Sequence, residues 1–249
     1  SESGMSGMGG VEMRYKHAMI LINGKSPAEI LQERIRKEGT QLGPNGTTLK
    51  LHAFINHQVD CHLMSICGQH LAYRFRGLGA NKIIAPRSGV LLAQCCAIHL
   101  RVPLVIATTV APVTSARDIK IYSQTRKGGG QYMNDVALHI SSEFIGPSDR
   151  VLLIDDVMSS GATANVLMQI ISEAGAQLVG FGLMIAKEFD GGRPQLPDDV
   201  AFEPVVRITR VAGEPPCESQ ADCTPPARMM WTLDFVAHRR PDRFRRRGR

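Results

Sequence analysis

Two adjacent carboxylates, Asp155 and Asp156, and the small-residue loop behind them form the segment most clearly suited to chemistry. In this segment, VLLIDDVMSSGAT (residues 151–163), four apolar residues lead into the two Asp side chains, and the loop then begins a helix. Such a loop binds anions, because the first backbone N–H groups of a helix lack partners within it and the helix dipole favours negative charge. The candidate phosphate-binding residues are Ser159, Ser160, Gly161, Ala162 and Thr163.

The order of these groups along the chain indicates the kind of ligand. The segment lacks the G-x-x-x-x-G-K pattern, and hence the lysine, of a nucleotide-binding P-loop. Instead, the two carboxylates directly precede the anion site, and ionised carboxylates accept hydrogen bonds from hydroxyl groups. This order suits a ligand with neighbouring hydroxyls and a phosphate a short distance away, as in a ribose 5-phosphate.

Short apolar runs alternate with helical segments along the chain, and this alternation predicts the scaffold of the site. Strands this apolar are typical of a parallel sheet with helices on both faces, and such a sheet binds ligands at the carboxyl ends of its strands. We therefore expect an α/β fold. The predicted strands are 82–85, 103–107, 151–154, 178–186, 205–211 and 229–236, and the predicted helices are 27–37, 61–76, 90–99 and 164–174.

Two segments interrupt this alternation. Residues 108–135 break the regular pattern, and the run Lys127-Gly128-Gly129-Gly130 predicts a mobile tip within them. Residues 212–227 are rich in Pro, Glu and Ser, which predicts a surface loop inserted between the last two strands.

The positive charge of the chain is confined to one end. The composition, with 249 residues that are 43% hydrophobic and 21% charged, is that of one or two globular domains and excludes collagen-like, disordered and coiled-coil classes. Residues 239–249 contain seven Arg and one Asp, which accounts for the whole net charge of +6. The rest of the chain is therefore neutral. The tail is expected to be a solvated end, with a nuclear address or a patch for RNA or an anionic surface as alternatives.

The cysteines and the apolar runs indicate a cytoplasmic protein. None of the six cysteines forms a C-x-x-C pair, so zinc and thioredoxin-type sites are not expected, and a reducing compartment is. No run approaches the ~18 apolar residues of a membrane span, and the first residues do not resemble a secretion signal.

The segment VLLIDDVMSSGAT resembles the phosphoribosyl pyrophosphate (PRPP) motif of type I phosphoribosyltransferases. The resemblance extends over about residues 31–236 and is greatest to the bacterial-type xanthine phosphoribosyltransferases. Adenine phosphoribosyltransferases share the phosphate loop but are less similar elsewhere. The segments that carry the resemblance are LQERIRKEG, LKLHAFINHQVD, LAYRFRGLGANKII, RVPLVIA, IYSQTRK and AKEFDGGRPQL.

The resemblance implies an α/β type I phosphoribosyltransferase fold, in which helices flank a central, mostly parallel sheet, with a small hood subdomain. It also implies an enzyme of purine salvage that transfers 5-phosphoribose from PRPP to N9 of a purine, with Mg²⁺ as cofactor. Relatives are commonly homodimers. The expected organisation is a tag-like N-terminal extension over 1–25, a phosphoribosyltransferase domain over 26–238 and the Arg-rich tail over 239–249.

Matching motifs carry roles over to individual residues at the PRPP end of the site. Asp155 and Asp156 would hold the ribose hydroxyls and, through them or through water, the Mg²⁺. Residues 159–163 would bind the 5-phosphate. The stretch 114–135 resembles the family's hood loop, which would close to exclude water. The residues expected in the pyrophosphate and hood loops are Arg87, Ser88, Gly89, Tyr122, Arg126 and Lys127.

At the other end, the purine would contact Leu49, Asn56 and Lys187, with the lysine facing the exocyclic oxygen. Lys187 also follows an apolar run, where the active-site rim of this fold class lies. A lysine ammonium donates three hydrogen bonds and accepts none, so it suits a 6-oxo group better than a 6-amino group. We therefore expect xanthine first, with adenine, hypoxanthine and guanine as alternatives.

Two loops depart from the family pattern. The first pyrophosphate loop, IIAPRSGV, is one residue shorter than usual and has Pro86 and Arg87 in place of an acidic residue. After RVPLVIA, where relatives usually place basic residues, this chain has Thr108, Thr109 and Val110. Loss of positive charge beside an anionic leaving group weakens transition-state stabilisation, and Arg87 is the candidate to compensate. A weakly active enzyme or a non-catalytic PRPP-binding regulator is therefore the second hypothesis.

Overall fold

The computed structural model describes residues 13–16, 19–42, 48–55, 57–112, 119–127, 134–190, 196–212 and 232–235. The helices in these ranges are α1 (Pro27–Glu38), α2 (Cys61–Phe75), α3 (Val90–Leu100) and α4 (Ala162–Glu173), with a 3-10 turn at Glu188–Asp190. The strands are β1 (Met13–Lys16), β2 (Met19–Ile22), β3 (Thr40–Leu42), β4 (Thr48–Lys50), β5 (Lys82–Pro86), β6 (Leu104–Ala107), β7 (Ile121–Arg126), β8 (Val136–Ser141), β9 (Arg150–Met158), β10 (Gln177–Lys187), β11 (Ala201–Ala212) and β12 (Thr232–Phe235).

Six strands form the central sheet, in the order β12-β11-β10-β9-β5-β6. Neighbouring strands are parallel throughout, except that β12 runs antiparallel to β11. This arrangement confirms the predicted mostly parallel sheet. The remaining described strands form three antiparallel pairs, β1–β2, β3–β4 and β7–β8.

The sheet is covered by apolar residues on both faces, as its strand sequences predict. Leu152 and Ile154 of β9 belong to the core shared with α1, α2 and α3, whereas Val151 and Leu153 belong to the core shared with α4. This alternation follows from the two-residue period of a strand. All four side chains are 0% exposed, so the strand that carries the candidate site is held from both sides.

Helix α1 begins where its sequence predicts, at a capping box. The Ser26 side chain accepts a hydrogen bond from the backbone N–H of Glu29 at 3.2 Å, and the Glu29 carboxylate accepts one from the Ser26 backbone N–H at 2.7 Å. Pro27 occupies the first turn, where its missing N–H has no partner to lose. These contacts fix the end of the helix that packs beside α2 and β11.

Two predicted boundaries are wrong. The strand predicted over 151–154 extends to Met158, so both carboxylates lie within β9 and not after it. Ladder pairing explains the extension, since β9 continues beside β10 as far as Met158 opposite Ala186. Residues 121–126, expected to be irregular, form β7, because its polar residues are paired with β8 across a connection that local periodicity does not reveal.

The predicted strands at 205–211 and 229–236 correspond to β11 and β12. Most of the Pro-rich insert and the whole Arg-rich tail lie outside the described residues. No helix in the described part of the chain is long and apolar enough to cross a membrane.

Candidate active site

Asp155 and Asp156 lie near the carboxyl end of β9 and are almost fully buried, at 6% and 4% exposure. The Oδ1 atom of Asp155 accepts hydrogen bonds from the Ser88 hydroxyl at 2.9 Å and from the backbone N–H of Asp156 at 2.8 Å. Burial raises the pKa of Asp155 well above its usual range, and the charge of Asp156 raises it further. Burial also raises the pKa of Asp156. The fold therefore disfavours the charged form of both carboxyl groups.

The turn after β5 packs directly against this pair. The pairing of β5 with β9 reaches Ile84 opposite Leu153, and the turn Arg87–Gly89 then leads into α3. A Cβ atom on Gly89 would lie 2.6 Å from the Cα of Asp155 and 2.9 Å from the carbonyl oxygen of Ile154. Only glycine allows this approach, which places Ser88 on Asp155 and leaves Arg87 exposed beside it.

The loop after β9 builds an anion site from backbone. Gly161 has φ +76°, a left-handed conformation that favours glycine, and it precedes α4 without any side-chain cap. The first N–H groups of α4 are thus left for a ligand. A small cavity, open to solvent, lies at this point. Its lining consists of Arg126, Asp155, Phe181 and residues 157–164.

The residues expected in the hood loop lie on or next to the β7–β8 hairpin, but they do not all face the same way. Arg126 is only 8% exposed and lines the cavity. Tyr122, on the same face of β7, packs partly buried against the α4 side of the core. Lys127, by contrast, has an 81% exposed side chain that forms an ion pair with Asp135 at 2.8 Å. The structure therefore brings Arg126 to the phosphate loop and leaves Lys127 on the surface.

Lys187 ends β10, the strand that lies beside β9, and is 5% exposed. Its positive charge lowers the pKa of Asp156, against the larger effect of burial. The sequence places this lysine one residue past the predicted strand, and the structure makes it the last residue of that strand. A buried ammonium thus lies within electrostatic range of the carboxylate pair.

The other two expected purine contacts are only partly visible. Leu49 lies in β4 opposite Gln41, but its side chain is outside the described part, as is Asn56 as a whole. The neighbouring Phe54 and Ile55 are buried in the core. Of the three expected purine contacts, only Lys187 has a described side chain, and its role stays a prediction.

Sequence reasoning missed one wall of the cavity. Phe181 of β10 lies opposite Leu153 of β9 and reaches the phosphate loop from the next strand. The available signal is the parallel pairing itself, since neighbouring strands present side chains to the same face.

At the end of β6, Thr108 donates a hydrogen bond to the Val110 carbonyl at 2.7 Å, and Val110 is 76% exposed. The loop expected to be basic in relatives is thus uncharged at these positions.

Sequence comparisons match this site to a family. Residues 82–219 match the phosphoribosyl transferase domain. The xanthine phosphoribosyltransferase of Moorella thermoacetica is 37% identical over 191 residues, covering 76% of this chain and 94% of that protein. The xanthine phosphoribosyltransferase of Shouchella clausii is 36% identical over 191 residues, covering 74% and 91%.

Solved structures agree on the fold. Adenine phosphoribosyltransferase from Rhodothermus marinus superimposes with a TM-score of 0.55 at 19% identity, covering 72% of this chain and 99% of that one. The Giardia lamblia enzyme, complexed with 9-deazaadenine, gives a TM-score of 0.56 at 17% identity, covering 71% and 97%. These matches, together with a mostly parallel sheet whose crevice joins Asp155 to the loop 159–163, show that the chain belongs to the type I phosphoribosyltransferase family.

Proposed function

We propose that this protein is a purine phosphoribosyltransferase of purine salvage that transfers 5-phosphoribose from PRPP to N9 of a free purine, with xanthine as the preferred base. The observation that carries the proposal is the buried pair Asp155 and Asp156, of which Asp155 lines the same crevice as the backbone anion site. The choice of xanthine is supported by the relatives of that name, which are 37% and 36% identical over about three quarters of the chain.

The two halves of the donor divide between the two loops at the carboxyl end of the sheet. The loop 159–163 and the start of α4 bind the 5-phosphate, and the turn Arg87–Gly89 binds the pyrophosphate. Arg87 supplies the positive charge for this, because it is exposed in a turn that touches Asp155 through Ser88. Tyr122 and Lys127 of the β7–β8 hairpin are expected to contact the donor at its pyrophosphate end once the hood loop has closed.

Asp155 and Asp156 act on the ribose between these loops. Their oxygens accept hydrogen bonds from the ribose hydroxyls, and their charge stabilises the positive ribose ring that develops as pyrophosphate leaves. The bond from C1 to pyrophosphate breaks with its electron pair on the leaving oxygen, and N9 of the purine bonds to C1. The ring N–H proton of the purine passes to the departing pyrophosphate or to water. The protein needs no covalent nucleophile, since positioning and charge stabilisation are sufficient for this step.

The residues present fit a Mg²⁺ that arrives with the donor. Among the described residues, no group of three or more His, Cys, Asp or Glu side chains gathers to hold a metal. A pair of carboxylates is nevertheless a usual protein contribution to Mg²⁺, which completes its ligands with substrate phosphates and water. When bound, Mg²⁺ would neutralise the departing pyrophosphate. Asp155 and Asp156 would hold it indirectly, through the ribose hydroxyls or water.

The base lies toward Lys187, with Leu49 and Asn56 as further contacts. The buried ammonium donates to the 6-oxo group of xanthine, whereas a 6-amino group would present a second donor to it. One such mismatch in a dry pocket costs about 1–3 kcal/mol, or roughly ten- to a hundredfold in discrimination.

A panel of five bases tests this proposal. With PRPP and Mg²⁺, xanthine is expected to give nucleotide faster than hypoxanthine, guanine, adenine or uracil, and Lys187→Ala is expected to reduce the preference for xanthine over adenine by roughly tenfold or more. Lys82→Ala is the matched control, because Lys82 is a partly buried lysine of β5 that pairs with Asp149, the residue just before β9. Faster turnover of adenine than of xanthine would contradict the base assignment.

The uncharged loop at Thr108–Val110 supports a second candidate, a PRPP-binding regulator. Binding of PRPP with no turnover of any base would favour it over the enzyme.

Homodimerisation, a cytoplasmic location and any nucleic-acid binding through the Arg-rich tail stay predictions. Light scattering on the purified chain tests the first of these.

A further inference from the structure

Arg126 is a buried charge at the phosphate end of the site. Its residue exposure is 8%, and it lines the same cavity as the loop 159–163 and the start of α4. Burying a guanidinium is costly unless anions or acceptors surround it. A guanidinium carries five N–H donors in a fixed fork, so it can keep a contact within the protein and still bind a phosphate in a bidentate manner.

The hairpin holds Arg126 in this position through packing with α4. Tyr122, Gln124 and Arg126 alternate along β7 and therefore share one face. Tyr122 packs against the core that contains Leu167 and Ile170 of α4. Gln124 donates a hydrogen bond to Glu173 in the last turn of that helix. Arg126 comes last in this series and meets the N-terminal end of α4, where the phosphate cradle lies.

We propose that Arg126 binds the 5-phosphate of the donor and of the nucleotide product, and not the pyrophosphate. This proposal rests on the proposed function, which brings a ribose 5-phosphate to the cavity. The loop 159–163 offers backbone N–H groups, the hydroxyls of its Ser and Thr residues and a helix dipole, but no full charge. Arg126 adds the full positive charge that a phosphate dianion favours. The pyrophosphate lies toward the turn at Arg87, which joins the opposite edge of β9 through β5.

A comparison of two simple ligands tests this division. Affinities for ribose 5-phosphate and for Mg²⁺-pyrophosphate are measured by calorimetry on the full chain and on Arg126→Gln, Arg126→Lys and Lys120→Gln. Lys120→Gln is the matched control, because it removes a positive charge from the start of the same hairpin, where the ammonium lies 4.6 Å from the Tyr122 ring. Arg126→Gln is expected to weaken ribose 5-phosphate binding roughly 10- to 100-fold and to leave pyrophosphate binding within about twofold.

Arg126→Lys keeps the charge but not the fork, so an intermediate loss for ribose 5-phosphate is expected. It also preserves a test if the Gln variant does not fold. Unchanged ribose 5-phosphate affinity in both variants would overturn the proposal, and a loss confined to pyrophosphate would assign Arg126 to the leaving group instead. An equal loss of both ligands would show that the arginine only supports the hairpin. Failure of the unmodified chain to bind ribose 5-phosphate or PRPP would refute the proposed function itself.

Discussion

At the scale of single residues, the buried pair Asp155 and Asp156 lowers the stability of the ligand-free protein, and its place in the fold serves ligand binding. The pKa of each carboxyl is raised mainly by burial, and that of Asp155 also by its neighbour. Functional residues of this kind destabilise the fold that presents them. Stability and donor binding should therefore respond to the same substitution in opposite directions.

Asp155→Asn is expected to stabilise the ligand-free protein at neutral pH while it abolishes PRPP binding. The amide oxygen can still accept from Ser88 and from the Asp156 N–H, so the shape is kept and only the charge is lost. We expect a gain of about 1 kcal/mol in unfolding free energy, or roughly 2–4 °C in Tm for a chain of this size. Thermal unfolding and calorimetry with PRPP measure the two effects.

The sign of the pH dependence follows from the direction of the pKa shift. An acid whose pKa is raised on folding binds its proton more tightly in the folded state, so stability falls as pH rises from the ordinary Asp range through the raised pKa. The advantage of Asp155→Asn should accordingly grow with pH over that interval. Asp149→Asn is the contrasting control, because Asp149 pairs with Lys82 at 2.8 Å and its loss should lower stability. A Tm below that of the unmodified protein for Asp155→Asn would contradict the prediction.

At the scale of elements, the turn between β5 and α3 is fitted to β9 by one glycine. Gly89→Ala would set a Cβ against backbone atoms of Asp155 and Ile154, which cannot move aside as a flexible side chain could. We expect a loss of about 1–3 kcal/mol in unfolding free energy and an increased KM for PRPP, because the turn would shift off the Asp pair.

Gly77→Ala provides the matched control for this substitution. Gly77 follows α2, and a Cβ there would meet nothing within 4 Å. Denaturant unfolding and steady-state kinetics on both variants decide the matter. If Gly89→Ala retains the KM and stability of the Gly77→Ala variant, the turn is not held by contact with Asp155.

Helices and strands could be predicted where the pattern of buried residues is visible in the sequence as apolar residues. Residues 83–85 and 151–154 are apolar because both faces of the sheet are covered, and the Ser26 capping box marks the start of α1 locally. β7 could not be predicted, because its residues are mostly polar and lack the apolar run of a buried strand. It forms a strand through pairing with β8 and packing on α4.

The candidate site could likewise be predicted where its residues are close together in the sequence, and not where folding brings distant residues together. Asp155, Asp156 and the loop 159–163 are contiguous, so one segment of sequence contains the ribose and phosphate end. The contact of Ser88 with Asp155 joins residues 67 positions apart. The approach of Arg126 to the phosphate loop likewise depends on how the β7–β8 hairpin folds back, which spacing along the chain does not encode.

At the scale of the whole molecule, charge is divided between a neutral body and a basic tail. Residues 1–238 contain 22 basic and 22 acidic side chains, so the net charge of +6 belongs to 239–249. Deleting the tail should abolish salt-sensitive binding to RNA and leave base turnover unchanged, because polyanion binding depends on the number of cations that replace counterions.

Fluorescence anisotropy with a labelled single-stranded RNA, at several salt concentrations, measures that binding. A full-length variant with the seven tail arginines replaced by serine separates charge from length. Persistent RNA binding by the deleted protein would place the basic surface elsewhere in the chain.

The continuation of β9 through its two carboxylates has a consequence for how the protein meets its donor. Asp155 lies opposite Leu183 in a ladder that runs on to Met158, so the backbone that presents the ribose acceptors is already set before any ligand arrives. Binding there costs little ordering entropy, and amide hydrogen exchange at 153–156 should be among the slowest in the chain with or without donor. Selection for a new sugar phosphate would therefore have to act through the surrounding turns and hairpin, because the strand itself offers no alternative shape.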